Sequence, residues 1–366
     1  MQLRVGTRID AEGPGLVTAS KMNRHTFWCG QSGSGKTYAL GVLLEQVLLH
    51  TRLPLVILDP NSDFVRFSEL RADASEADAA ELRSRSVRVL RPHTAEDPLK
   101  VRFLSMPLIS RAALLQIDPL RDADEFNAMI KMEPEVLAGL QEPLADWLRA
   151  SGNPVHRKIA IRLENLGLAD LDLWAGRHRS VIEFIDDRAD ATVVDLGGFS
   201  TPLEPKATAL AVLDHLWERR ADRIGRLIVI DEAHNLCSPD PVTAVDTLLT
   251  ERIVQIAAEG RKYGLWLLMS TQRPSKVHPN ALSQCDNLGL MKLSSPGDLA
   301  ELARVFGYAP AELLSRVTGF SQGQALFAGG FVAEPQVVQM RDRLTLEGGS
   351  DVAIELRDHV ARGLPD

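Results

Sequence analysis

The chain has 366 residues, 45% of them hydrophobic, which is enough to bury a large core, and its 49 acidic against 41 basic side chains give a formal net charge of −8. That balance excludes a protein coated in basic surface, the usual form of sequence-independent nucleic-acid binders, although a ring can still concentrate a few cations on inner loops. No apolar run approaches the roughly eighteen residues that cross a bilayer, the start Met1-Gln2-Leu3-Arg4-Val5-Gly6 has no signal-peptide core, and Cys29, Cys237 and Cys285 are too few and too dispersed for a disulfide framework or a zinc knuckle. A cytoplasmic protein with reduced packing cysteines and no membrane contact is expected.

In chain order, residues 3–19 read as a short hairpin around Gly13-Pro14-Gly15, and a core begins near residue 24. The β-prone Thr26-Phe27-Trp28-Cys29 runs into Gly30-Gln31-Ser32-Gly33-Ser34-Gly35-Lys36-Thr37, which fits GxxxxGK[ST]. Leu40, Leu43, Leu44, Val47 and Leu48 follow at the spacing of one buried helix face. Strand, glycine-rich turn and helix are the context a phosphate-binding loop needs. Its glycines let successive N–H groups face the phosphates, and the helix presents its positive end to the same anion. Gly30, Ser32, Gly33, Ser34, Gly35, Lys36 and Thr37 are therefore the ATP-binding candidates, with Lys36 on the β- and γ-phosphates and Thr37 on Mg²⁺.

The strand Leu55-Val56-Ile57-Leu58 ends in Asp59-Pro60-Asn61-Ser62-Asp63-Phe64. Residues 71–82 read as an acid- and alanine-rich helix, and the arginines around Val87-Arg88-Val89-Leu90 as those of a core-edge strand rather than a nucleic-acid patch. Residues 107–190 turn helical, punctuated by Pro119, Pro134, Pro143 and Pro154, and are assigned as an insertion; Arg157, Lys158 and Arg162 read as its solvated face. Thr192-Val193-Val194 ends in Asp195. The apolar run Leu227-Ile228-Val229-Ile230 reads as a strand buried on both faces and ends in Asp231-Glu232. In this Walker B reading Asp231 holds the metal and Glu232 polarises the attacking water; the bland alternative is a core strand closing in an acidic turn. Leu265-Trp266-Leu267-Leu268-Met269 leads to Ser270-Thr271-Gln272-Arg273-Pro274, which makes Gln272 the candidate γ-phosphate sensor at the edge where α/β sheets bind ligands. Arg273, Lys276 and His278 are pore contacts or a solvated loop. Residues 322–340 return to strand, and Glu347-Gly348-Gly349-Ser350 joins a last amphipathic segment, Val352 to Val360.

The run Ala257-Ala258-Glu259-Gly260-Arg261-Lys262-Tyr263-Gly264, followed by the strand and Ser270-Thr271-Gln272-Arg273-Pro274, resembles the HerA branch of the HerA/FtsK ATPases. Asn23-Arg24-His25 and Asp59-Pro60-Asn61-Ser62-Asp63-Phe64 are similar to that family as well, so the resemblance covers roughly residues 3–340. It implies an α/β, RecA-like P-loop NTPase core with a mostly parallel sheet, a hexameric ring and ATP-driven movement on double-stranded DNA. The chain departs from the family in Asn61, Ser62 and Asp63, where a glutamate and a histidine–glycine pair are favoured, and in a leading segment too short for the β-barrel with which long HerA proteins dock a NurA-type nuclease. The resemblance also implies that Arg24 or Arg261 acts across a subunit interface on the transferred phosphoryl group. A surface salt bridge is the plain alternative for Arg24, and a helix-terminal cation for Arg261. Asp231-Glu232-Ala233-His234 spells the DEAH of superfamily 2 helicases, but the serine–alanine–threonine motif and the second RecA-like domain of those proteins do not follow; His234 then caps the turn or couples it to a neighbour.

The expected division is an N-terminal hairpin segment at 1–23, a first part of the ATPase core at 24–106, the helical insertion at 107–190, a second part of the core at 191–344, and a C-terminal tail or brace at 345–366. The expected function is a double-stranded DNA translocase or helicase working with a nuclease or other effector in DNA processing or antiviral defence. Two alternatives stay open: a nucleotide-gated ring scaffold that activates an effector without moving on DNA, and an ATPase of the type IV secretion kind.

Overall fold

The computed structural model describes residues 1–132 and 143–349. Eleven strands form one sheet: β1 (Gln2–Arg8), β2 (Pro14–Thr18), β3 (Thr26–Cys29), β4 (Leu55–Asp59), β5 (Val87–Leu90), β6 (Ala191–Asp195), β7 (Arg226–Ile230), β8 (Leu265–Thr271), β9 (Asn287–Met291), β10 (Gln324–Gly329) and β11 (Gln336–Met340). Their order across the sheet is β2-β1-β11-β10-β9-β3-β8-β7-β4-β6-β5. From β9 to β5 all neighbours are parallel. The remaining pairs, including the hairpin β1/β2, are antiparallel.

The central strands are continuous apolar runs because helices cover both faces of a parallel sheet. Side chains alternate between two cores: Phe27, Ile228 and Ile230 enter one, and Trp28, Leu227 and Val229 the other. The first core packs under helices Leu203–Glu218 and Ala244–Glu259, the second under helix Lys36–His50. β5, whose Arg88 interrupts the apolar pattern, lies at one edge. Helices Leu108–Leu114, Ala123–Lys131, Leu144–Ala150 and Pro154–Asn165 lie in the chain between β5 and its parallel neighbour β6, with an apolar cluster of their own around Leu115, Leu148, Ala160 and Leu168. Arg162 is tied to Asp122 at 2.8 Å, so it holds the helices together rather than facing solvent. Pro134 lies outside the described residues.

Helix Lys36–His50 departs from the one-faced stripe read in the sequence, because every residue from Ala39 to Leu49 is buried. Its outer side is covered by the hairpin and by the segment after β11. Glu45 accepts hydrogen bonds from the backbone N–H groups of Leu344 (2.9 Å) and Thr345 (2.8 Å) and from the Thr345 hydroxyl (2.6 Å). The fully buried Arg343 guanidinium stands 3.6 Å from the same carboxylate and over the Phe64 ring. Gly41 makes room for it, since a Cβ there would lie 2.5 Å from Arg343 Nε. Glu45→Ala leaves the buried Arg343 only the half-exposed Glu347 at 3.5 Å, strips the Leu344 and Thr345 N–H groups of their acceptor, and is expected to cost about 3–5 kcal/mol in urea unfolding; a loss under about 1 kcal/mol would mean the pair does not hold this segment.

Residues Thr345–Gly349 continue over the loop after β4, with Leu346 N–H donating to Glu69 and Gly348 N–H to Asp63. The amphipathic segment Val352–Val360 lies outside the described residues. No helix among the described residues is long and apolar enough to cross a membrane.

Candidate nucleotide-binding site

β3 delivers the chain to Gly30, and the loop then turns through positive φ at Gly33 (76°) and Gly35 (84°), a region that L side chains avoid. Helix Lys36–His50 starts immediately, so its unpaired N–H groups surround the loop's concave side. Ser32 and Gly33 are exposed, Thr37 is half-buried in the first turn, and Ser34 is buried with its hydroxyl unpartnered.

Two strands away, β7 ends in Asp231, fully buried, and Glu232, held in the left-handed region at φ 43°. A non-glycine residue pays strain for that conformation, which here turns the glutamate back over the strand end. Lys36 Nζ donates to Asp231 Oδ1 (2.9 Å) and to Ser270 Oγ at the end of β8 (3.1 Å), and stands 3.1 Å from Glu232 Oε1. Burial opposes the charge on Lys36, but the two carboxylates outweigh it and raise its pKa. Burial likewise pushes Glu232 up, yet the His234 hydrogen bond and Lys36 overcome it and hold the carboxyl down at about 2. Glu232 is therefore an ionised carboxylate at neutral pH. His234 Nδ1 lies 3.2 Å from Glu232 Oε2 and 3.0 Å from Thr271 Oγ1, so the histidine connects the ends of β7 and β8. Gln272, half-buried at the end of β8, sends its backbone N–H toward Glu232 Oε2 at 3.4 Å.

Sequence reasoning did not foresee Ser270, nor the acid cluster beside Asp231. Asp59, Asp63 and Asp231 bring carboxylate oxygens within 4.8 Å of one another, and Asp231 Oδ2 is buried without a partner. Oxygen donors around an orphaned anionic atom suit a hard divalent cation such as Mg²⁺. The available signal was that β4 and β7 both end in acids, and they prove to be adjacent and parallel.

Burial pushes the Asp59 carboxyl up to about 7, with Asp231 and Asp63 adding to it against the N–H groups of Phe64 and Asp63; burial and Asp231 bring Asp63 to about 6. Both folded values exceed the ordinary 3.8, so the folded chain keeps protons that the unfolded chain has released. Their contribution to stability is therefore present at low pH and lost as pH rises from about 4 to 7. In urea unfolding without nucleotide and with EDTA, Asp59→Asn is expected to lose less stability than the parent between about pH 5 and pH 8. Equal losses would dismiss the assignment.

Arg24 and Arg261 come together, but at the opposite edge of the sheet from Lys36. Arg24 precedes β3, and Arg261 occupies the turn Gly260–Tyr263 that precedes β8. Both reach Asp286 Oδ2, at 3.7 Å and 2.8 Å. Between them His25 is buried; its Nδ1 accepts the Leu267 N–H at 2.9 Å, and burial, helped by Arg261 and Arg24, keeps it neutral with a pKa of about 4. Neither arginine faces the phosphate loop of this chain.

Residues 3–132 match the family model described as helicase HerA, central domain. The curated relatives include the DNA double-strand break repair helicase HerA of Sulfurisphaera tokodaii, 32% identical over 114 residues, which are 31% of this chain and 22% of that protein. Over its first third the chain is similar to the HerA central domain, in the stretch that holds the P-loop. A probable HerA of Methanocaldococcus jannaschii is 27% identical over 128 residues, 35% of this chain and 25% of that one, so the matches span about a quarter of the relatives' length. Among solved structures, VirB4 of Thermoanaerobacter pseudethanolicus superposes with a TM-score of 0.64 at 17% identity, covering 93% of this chain and 96% of VirB4. The plasmid coupling protein TrwB in complex with the ATP analogue ADPNP superposes at 0.59 and 12% identity, covering 96% of both chains. At such identities the two likenesses establish the fold: a RecA-like sheet that the N-terminal antiparallel pair extends.

Proposed function

We propose that this HerA-like chain hydrolyses ATP as one subunit of a homo-oligomeric, hexameric ring that moves on double-stranded DNA and works with a nuclease or defence effector. The observation that carries the reading is the division of the catalytic set between two edges of the sheet. Lys36, Asp231, Glu232 and the end of β8 assemble on one edge, while Arg24 and Arg261 stand on the other, where only a neighbouring subunit's nucleotide could meet them.

On ATP binding Lys36 leaves the carboxylates for the β- and γ-phosphates, and Glu232, now without its lysine, orients water for in-line attack with His234 keeping its rotamer. Gln272 senses the γ-phosphate and reports it through β8 to the turn bearing Arg273 and Lys276, which are exposed and make no ion pair among the described residues. His278 instead caps the short helix Pro279–Leu282 and is not counted among the DNA contacts. Asp231 and Thr37 would hold Mg²⁺, which supplies charge neutralisation at the phosphate oxygens.

The steady-state ATPase rate with and without long linear double-stranded DNA tests the reading, with Glu232→Gln as blank. Length-dependent stimulation is expected. A rate indifferent to DNA would replace the motor by the effector-holding scaffold.

A further inference from the structure

A triphosphate whose γ end meets Lys36, Asp231 and Glu232 must lie from the P-loop at β3 toward β8 and β7. Its α-phosphate and nucleoside then leave on the other side of β3, toward β9 and β10. Two elements there touch the P-loop: the segment after β9, where Gln31 N–H donates to the Lys292 carbonyl (2.8 Å) and Ser294 N–H to Gln31 Oε1 (2.9 Å) at the start of the loop, and the loop leading into β10, which reaches its last turn. In the loop leading into β10, Gly323 N–H donates to the Ser34 carbonyl at 3.0 Å. A methyl group on Gly35 would lie 3.5 Å from Gln322 Cγ, so the Gln322 side chain runs along the last turn of the phosphate loop, with its surface exposed.

The loop is built for this approach. Gly323 has φ 76°, and a side chain on it would meet Gln339 Nε2 at 2.8 Å. Gln339, on β11, donates from that amide to the Gln322 carbonyl (3.4 Å), and Met340 N–H donates to the Gly323 carbonyl (2.9 Å). Two main-chain contacts and one side-chain contact thus hold Gln322 against the nucleotide loop, although its own amide is committed to nothing among the described residues. An amide carries both a donor and an acceptor, as recognition of a ribose hydroxyl or a base edge requires.

We propose that Gln322, positioned by Gly323 and Gln339, forms the nucleoside wall of the site and contacts the ribose–base half of ATP. The proposal rests on the ATP-binding reading above, and comparing ATP with inorganic tripolyphosphate separates the two. Affinities of the full chain for both ligands, with Mg²⁺ present, are measured by calorimetry for the parent, Gln322→Ala, Gln339→Ala and Lys36→Ala. Losing a hydrogen bond to the nucleoside weakens ATP about fivefold to tenfold in Gln322→Ala, and less in Gln339→Ala, while tripolyphosphate changes less than about twofold. Equal weakening of both ligands, or ATP unchanged in Gln322→Ala, overturns the nucleoside wall. If Lys36→Ala leaves both affinities intact, the phosphate site itself is misassigned and the wall falls with it.

Discussion

Glu232→Gln is expected to lower the turnover number for ATP by about 10²–10⁴ while ATP binds at least as tightly as to the parent. The loss follows from the geometry: Glu232 is the carboxylate at the end of β7 that Lys36 and His234 keep ionised, and an amide of the same shape cannot accept a proton from water. The retained or improved affinity follows from Lys36, which must break its contact with Glu232 before reaching phosphate. An amide holds the ammonium less strongly than a carboxylate does, so less is lost when ATP arrives. Phosphate release and equilibrium ATP binding measured on the same preparation check both halves. Turnover within about threefold of the parent would remove Glu232 from the chemistry, leaving the strained φ at this position without a catalytic explanation.

The second large effect concerns Arg24 and Arg261. A positive group completing the site from a neighbour is worth roughly 10³–10⁵ in rate, so Ala at the acting arginine should bring turnover close to that of Glu232→Gln with ATP still bound. If the pair serves only to hold Asp286, half-exposed ion pairs of this kind are worth no more than about 1 kcal/mol and turnover is unchanged. Mixing distinguishes action across an interface from action within a subunit. Lys36→Ala and Arg24→Ala are each expected to be inactive alone, but in the proposed ring a mixture would hold interfaces in which the intact Lys36 of one subunit faces the intact Arg24 of the next, and activity should return in part. The same experiment with Arg261→Ala identifies which arginine acts. No recovery in either mixture, with both variants folded and binding ATP or DNA as expected, would defeat the division of the site between subunits.

How much of this the sequence conveys depends on how local the physics is. The P-loop was legible because its glycines, lysine and threonine are adjacent in the chain and their backbone requirements are met within a few residues. The strand ends bearing Asp231 and Gln272 were legible because a strand buried on both faces must be a continuous apolar run, and the first polar residues after it emerge at the sheet edge. The hairpin at residues 2–18 was announced by Gly13, Pro14 and Gly15, and the helical stretch between β5 and β6 by its prolines and spacing.

What the sequence left open are contacts between distant positions. Lys36 and Asp231 meet across 195 residues, and Glu45 binds Thr345 across 300. In the sequence Glu45 is a polar residue on a helix that reads as one-faced; it is buried only because the segment after β11 brings N–H groups and Arg343 to it. The cluster of Asp59, Asp63 and Asp231 exists only because β4 and β7 are neighbours, and Arg24 joins Arg261 only because β3 and β8 are. The sequence alone determined which residue types could bind phosphate and polarise water, since those demands are satisfied within one turn of backbone. The tertiary structure alone decided which carboxylates share a charge, which arginines face away and which loop lies against the P-loop, because strand order is set by burying two apolar faces at once, and no local stretch of chain carries that information.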